Sequence, residues 1–307
     1  MTSLSKSAFD RAAEFIQTQA RLLERVQFEY HFESGPVSAV LEELEKYQTS
    51  DGGFGHGIEP DLRMPFSSPF SSSVAFQILT EVEVPASNQM VQAGIAYLRQ
   101  SFDGSLGGWD PTGPLVNQSP HALCWNYTPV DNELDAIKRS NPGAELLGYL
   151  LLYENYVDEQ FIRKVTESVL RTFDELPDDM EIHSMLCFMR LLESAPSDLI
   201  DNLLPKLKRG VRLVIGKSVN DWKAYGARPL WFASKPTSLL AKTLADLIPV
   251  QLDYEIESQS ETGSWRPNWT WGQYEDGWEE ARLEWSGYLT LRNLMAVKAW
   301  GRISFQI

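Results

Sequence analysis

Three times along the chain an apolar helix end runs into a glycine turn that closes on a large aromatic residue. The first copy is Leu44-Glu45-Lys46-Tyr47-Gln48 followed by Asp51-Gly52-Gly53-Phe54-Gly55. The second runs from Tyr97 to Phe102, through Asp103-Gly104, to Gly107-Gly108-Trp109, and the third from Tyr254 to Gln259 and on to Gly263-Ser264-Trp265. A helix that stops at such a point must satisfy its last carbonyls and turn the chain. Glycine does both because it enters left-handed conformations without a Cβ clash. The aromatic is then free to swing back over the helix end, and a glutamine at that end can bond neighbouring backbone groups. A recurring signature of this kind marks stacked supersecondary units. It reads first as a structural staple rather than as chemistry.

The rest of the pattern is helical. Ala8, Ala12, Phe15, Ile16, Ala20, Leu22 and Leu23 recur at spacings of three and four, which predicts one long first helix. Further helices are expected at 36–47, 73–82, 88–102, 143–156, 159–176, 179–192, 198–215, 238–247, 250–258 and 286–300. Asn88 and Asp158 stand as N-caps, and Pro36 sits at a first turn. Strand-like alternation is scarce. The expectation is an all-α chain of about eleven helices in antiparallel pairs, forming a single domain over residues 1–307. Long loops at 52–70, 103–142 and 263–284, with a shorter one at 217–236, interrupt the pairs, and loops of that length inside a compact domain are usually functional.

Charge and composition narrow the function. A net charge of −15 argues against nucleic-acid binding, which needs a basic face. No apolar run approaches the ~18 residues of a membrane span. The opening residues read as an amphipathic helix rather than a signal peptide, and two cysteines are too few for a disulfide scaffold. Together these predict a cytoplasmic protein.

At Gln259-Ser260-Glu261-Thr262-Gly263-Ser264-Trp265 the chain resembles the Gln-Trp repeat of squalene-hopene and oxidosqualene cyclases. The Gln48–Phe54 stretch resembles the glycine-rich turn of protein prenyltransferase β subunits. The resemblance implies an (α/α) barrel or toroid with a central apolar cavity. Its catalytic motifs do not carry over. The chain has no Asp-x-Asp-Asp, no Asp-Asp-x-x-Asp and no Asp-x-Cys; the acidic pair Asp178-Asp179 reads instead as the cap and dipole partner of the helix that follows it.

Four groups of residues are candidates for chemistry. The loop Gly55–Arg63 gathers His56, Glu59, Asp61 and Arg63 behind the first signature. A carboxylate there, desolvated in an apolar cavity, would act as an acid, while Arg63 paired with Asp61 would brace the loop. The segment Ser119–Tyr127 offers His121 as a proton shuttle, with Trp125 and Tyr127 as cavity lining, or else forms a buried plug whose histidine bonds backbone. His121/Cys124 and His183/Cys187 have the spacing of a zinc N2S2 set, but such pairs arise readily by chance, and no cofactor is expected. Last, six of the ten tryptophans lie between Trp265 and Trp300. In this stretch Trp269, Trp271, Tyr274 and Trp278 alternate with Glu275, Asp276, Glu279, Glu280 and Glu284. Ring faces stabilise cations or stack on sugars, and the glutamates also read as the solvated face of a helix leading to Trp285.

These readings predict catalytic roles for His56, Glu59, Asp61 and His121. Arg63, Trp109, Trp125, Tyr127, Trp265, Trp269, Trp271 and Trp278 are expected to bind substrate. The leading expectation, carried by the resemblance, is a terpenoid cyclase-like protein that encloses an isoprenoid or another apolar small molecule. In it, Glu59 or Asp61 starts an acid-initiated cyclisation. The alternatives are a carbohydrate-active toroid, either glycoside hydrolase or lyase, and a non-catalytic toroid that only binds its ligand. The sequence does not identify a partner protein.

Overall fold

A computed structural model describes residues 1–127 and 135–305. It is all-helical, and among the described residues the extended pairings are isolated bridges, not strands of a sheet. The chain divides into two compact units: Met1–Leu44 with the residues from Ile215 onward, and Glu45–Val214 between them.

In the first unit, α1 (Lys6–Gln19), α2 (Leu22–Phe32) and α3 (Val37–Glu45) come first. The predicted single first helix is thus two. The break at Ala20-Arg21 contains neither glycine nor proline. Instead the Arg25 guanidinium takes the Ala20 carbonyl at 2.9 Å, and the Arg21 guanidinium folds onto Glu24 in the first turn of α2. Tertiary packing fixes the kink as well: a Cβ added at Gly287 would come within 2.7 Å of the Ala20 Cβ.

The second unit holds α4 (Pro69–Glu81), α5 (Gln89–Gln100), α6 (Ala136–Ser140), α7 (Gly143–Leu152), α8 (Glu159–Glu175), α9 (Ile182–Ser194) and α10 (Ser197–Val214). Asn88 and Asp158 cap α5 and α8 as expected. Asp178-Asp179 does not cap α9. Glu181 does, accepting the His183 and Ser184 amides, while Asp178 pairs with Arg209 at 2.7 Å. α7 is apolar nearly all round and is buried from Gly143 to Leu150, so it forms the centre of this unit. It carries one buried charge, Glu145. One oxygen of that carboxylate accepts from Gln77 of α4 at 2.8 Å and from Tyr149 at 2.5 Å, and the other accepts from Arg190 of α9 at 2.8 Å.

The chain returns to the first unit with α11 (Val219–Lys223), α12 (Pro229–Phe232), α13 (Ile248–Glu257) and α14 (Glu275–Ala299). The helix expected at 238–247 is a run of turns whose amides reach back irregularly over three or four residues, as in Ala241 to Ser238 and Leu244 to Leu240. Its apolar spacing is used all the same, because Leu240, Ala241, Leu244 and Leu247 are buried. The loop expected over 263–284 ends early. α14 begins at Glu275, eleven residues before the predicted start at 286, with Glu275 and Asp276 in the first turn where a helix favours negative charge. Near Leu4 the chain pairs with the segment after α14: the Leu4 amide donates to Arg302 and the Ser304 amide to Leu4.

The signature works as the sequence suggests, and two copies share one bonding scheme. Gln48 donates to the Gly52 carbonyl of its own turn and to Met90 on α5, at 3.0 and 3.1 Å. Gln259 donates to the Gly263 carbonyl and to Ala8 on α1, both at 2.9 Å. The Phe54 amide donates to Ser72 on α4, and the Trp265 amide to Thr290 on α14. Trp109 and Trp265 swing back over their helices and donate from Nε1 to Leu98 and Glu255, each at 2.8 Å. The second copy departs at its glutamine: Gln100 is exposed, and that turn is held by the Ser168 hydroxyl on Gly107.

Candidate functional site

Two loops that the sequence offered separately form one element in the second unit. The Arg63 amide donates to Pro120 and the Ala122 amide to Asp61, both at 3.0 Å, so Leu62 and His121 face each other as an antiparallel pair. The pairing lies on an apolar floor of Leu62, Met64 and Val116, against which Phe70, Trp125 and Tyr127 pack half-buried. The Phe70 and Trp125 rings lie 4.3 Å apart. Asn117 holds the far end, its side-chain amide donating to the Tyr127 carbonyl and accepting the Tyr127 amide, each at 2.9 Å.

The acidic residues belong to the first of these loops. Glu59 is buried, 8% exposed, and Asp61 is half-buried. Cys124 lies within their field. Although the residue reaches the surface, burial of its thiol raises the pKa to about 11, helped by the charges of Asp61 and Glu59. A thiol held in that range is not a nucleophile at neutral pH. His56 is exposed at a positive φ of 54°, and the Arg63 guanidinium lies over Gly57, whose φ is 73°. His121 is 1% exposed; its Nδ1 donates to the Ser119 carbonyl at 2.6 Å and its Nε2 lies 2.7 Å from the Asn126 side-chain amide. The ring therefore has the bonding of a brace.

The remaining candidates are divided between the units. Trp109, in the second unit, is 1% exposed and seals α5. Trp265, Trp271 and Trp278, in the first, are also buried, with Trp265 sealing α13. Trp269 is half-buried and forms part of an aromatic row with Tyr225 and Trp285 that the sequence did not single out. On α14, Glu279 and Glu280 are exposed, whereas Glu284 pairs with Arg21 at 3.7 Å. The histidine–cysteine pairs have other partners: His183 bonds Glu181 at 2.6 Å, and Cys187 lies 3.5 Å from the Asn141 side-chain oxygen. Among the described residues no group of three or more histidine, cysteine or acidic side chains has the geometry to hold a metal. Residues 128–134 of the predicted 103–142 loop lie outside the described residues.

Sequence reasoning passed over the Glu145 cluster. A lone glutamate among leucines was its only signal, and its partners Gln77 and Arg190 are 68 and 45 residues away. Two hollows, about 320 Å³ beside Trp300 and about 450 Å³ beside Phe161, are lined by none of the candidate residues. Among the described residues no helix is long and apolar enough to cross a membrane. Comparison with protein-family models, curated proteins and solved structures finds no match.

Proposed function

We propose that this chain is an (α/α) toroid of the terpenoid cyclase and prenyltransferase kind. In this reading it encloses an isoprenoid or similar apolar substrate and cyclises it by acid at the paired loops. The observation that carries the reading is the backbone pairing of Asp61–Arg63 with Pro120–Ala122, which joins the loop of Glu59 and Asp61 to the segment of Trp125 and Tyr127, with Cys124 in the field of both carboxylates. An acid-initiated cyclase needs these parts together: a carboxyl proton to give to a double bond, ring faces to stabilise the carbocation, and a carboxylate to take a proton back. The proton given and the proton returned balance, so the product is an isomer of the substrate and no redox partner is consumed. His121 positions the loop. What supports the family reading is the glycine-turn signature itself, whose first and third copies share one bonding scheme through Gln48 and Gln259.

The first test is native mass spectrometry of the protein as purified from cells, followed by organic extraction. A bound mass in the isoprenoid range is the expected result, and bare protein counts against an apolar ligand. With a substrate in hand, Glu59→Gln and Asp61→Asn separate the two candidate acids. Loss of the acid is expected to slow turnover by about 10²–10⁴-fold. Full turnover in both variants overturns the assignment.

A further inference from the structure

We infer that the first unit carries a binding ledge for a neutral oligosaccharide, built from a continuous row of half-exposed aromatic rings. Trp231, Tyr225, Trp269, Trp285 and Tyr288 follow one another with centroid separations of 6.1, 5.5, 5.1 and 5.4 Å. None of the five is buried, and Tyr225 is 48% exposed, whereas Trp222, Trp265, Trp271 and Trp278 of the same unit are packed away. The unit can therefore bury its indoles, yet it leaves this row in contact with water and forgoes the free energy of burying it. Contiguous aromatic surface of this sort marks a ligand site.

The polar groups beside the row select the ligand class. On α14, Glu284, Tyr288 and Arg292 are spaced at i, i+4 and i+8 and so share one face. The Arg292 guanidinium lies over the Tyr288 ring, 5.2 Å from its centroid. Glu284 pairs with Arg21 at 3.7 Å, and Arg21 also holds Glu24. Glu24 is buried behind Arg21, and the exposed Glu280 lies one turn before Glu284 on the same face, so carboxylates and guanidiniums both border the row. The guanidiniums count against a quaternary ammonium ligand despite the ring faces, because Arg292 already lies over Tyr288 and Arg21 stands against Glu284. A bare hydrocarbon would strip water from these charged groups and give nothing back. A sugar fits both parts: its C–H face lies on a ring, while its hydroxyls donate to Glu284 and accept from a guanidinium at the edge. The inference stands on the first unit alone and does not rest on the reading of the paired loops.

The test is intrinsic tryptophan fluorescence of the full chain titrated with maltohexaose, cellohexaose, xylohexaose and chitohexaose, with tetramethylammonium and farnesol as comparison ligands. Saturable quenching by at least one oligosaccharide is expected, and Trp269→Ala should weaken it roughly tenfold with an unchanged far-ultraviolet circular dichroism spectrum. Should that variant misfold, Tyr225→Ala decides, because its ring is among the more exposed. The inference is overturned if no oligosaccharide binds at millimolar concentration, or if the folded variant binds as the parent does. It is equally overturned if tetramethylammonium or farnesol binds more tightly in a Trp269-dependent way.

Discussion

At the scale of single residues, the glycine turns carry the clearest demands. Gly52 and Gly263 take almost the same backbone conformation, φ of 89° and 88°, and a Cβ on either would strike the backbone of the neighbouring helix, at Ala93 and Arg11 respectively. Gly52→Ala and Gly263→Ala are each expected to cost about 2 kcal/mol or more, from left-handed strain plus the clash, read as a fall in the urea midpoint. Asp51 beside the first turn gives a pH signature. Burial works to raise its pKa, but the Ser67 and Thr49 hydroxyls and the Gly53 amide outweigh it and hold the carboxyl below its usual value of 3.8. Since the folded value lies below the unfolded one, the stabilisation is complete above about pH 4 and is lost as pH falls through the folded value. Asp51→Asn should lower the melting temperature at pH 7 and flatten its decline on acidification; an acid limb identical to the parent's rules the mechanism out. The glycines and glutamines of these turns were legible from sequence because turn chemistry is local. The second acceptors of Gln48 and Gln259, Met90 and Ala8, were not, since they lie 42 and 251 residues away.

At the scale of elements, helix existence was readable and helix continuity less so. Apolar spacing located α8 almost to the residue, because a long amphipathic stripe specifies itself. It ran α1 and α2 together because the apolar spacing continues across the break at Ala20-Arg21; the Arg21 and Arg25 contacts there are local but leave no mark in that spacing, and the approach of Gly287 comes from far along the chain. The stretch 263–284 was expected as loop, although its glutamates also read as a helix face leading to Trp285, and ten of its residues belong to α14. Glu145 shows how elements hold one another, tying α7 to α4 and α9 through Gln77 and Arg190. Glu145→Ala should destabilise the protein by about 2–3 kcal/mol by thermal or urea unfolding. That is below the full cost of breaking a buried pair, because Arg190 is 34% exposed. Arg190→Ala, which strands the buried partner instead, is expected to cost at least as much.

At the scale of the whole molecule, distant parts of the chain close on each other. Arg302, 6% exposed, donates from Nε to the Thr2 carbonyl at 2.6 Å and pairs with Asp253, which also accepts the Thr2 amide. Arg302→Ala is expected to cost about 2 kcal/mol and to speed amide exchange around Leu4, whose amide donates to residue 302; unchanged protection there would exclude this strap as a stabilising contact. By itself the sequence determined the all-helical class, the glycine turns and their sealing aromatics, because helix periodicity and turn conformation are fixed by residues a few positions apart. Only the tertiary structure decided that the loops of Asp61 and His121 pair, that Trp265, Trp271 and Trp278 are packed away while Trp269 joins an exposed row, and that the chain forms two compact units. Those outcomes rest on contacts between segments far apart in the chain, and burial depends on what the rest of the fold brings against a side chain.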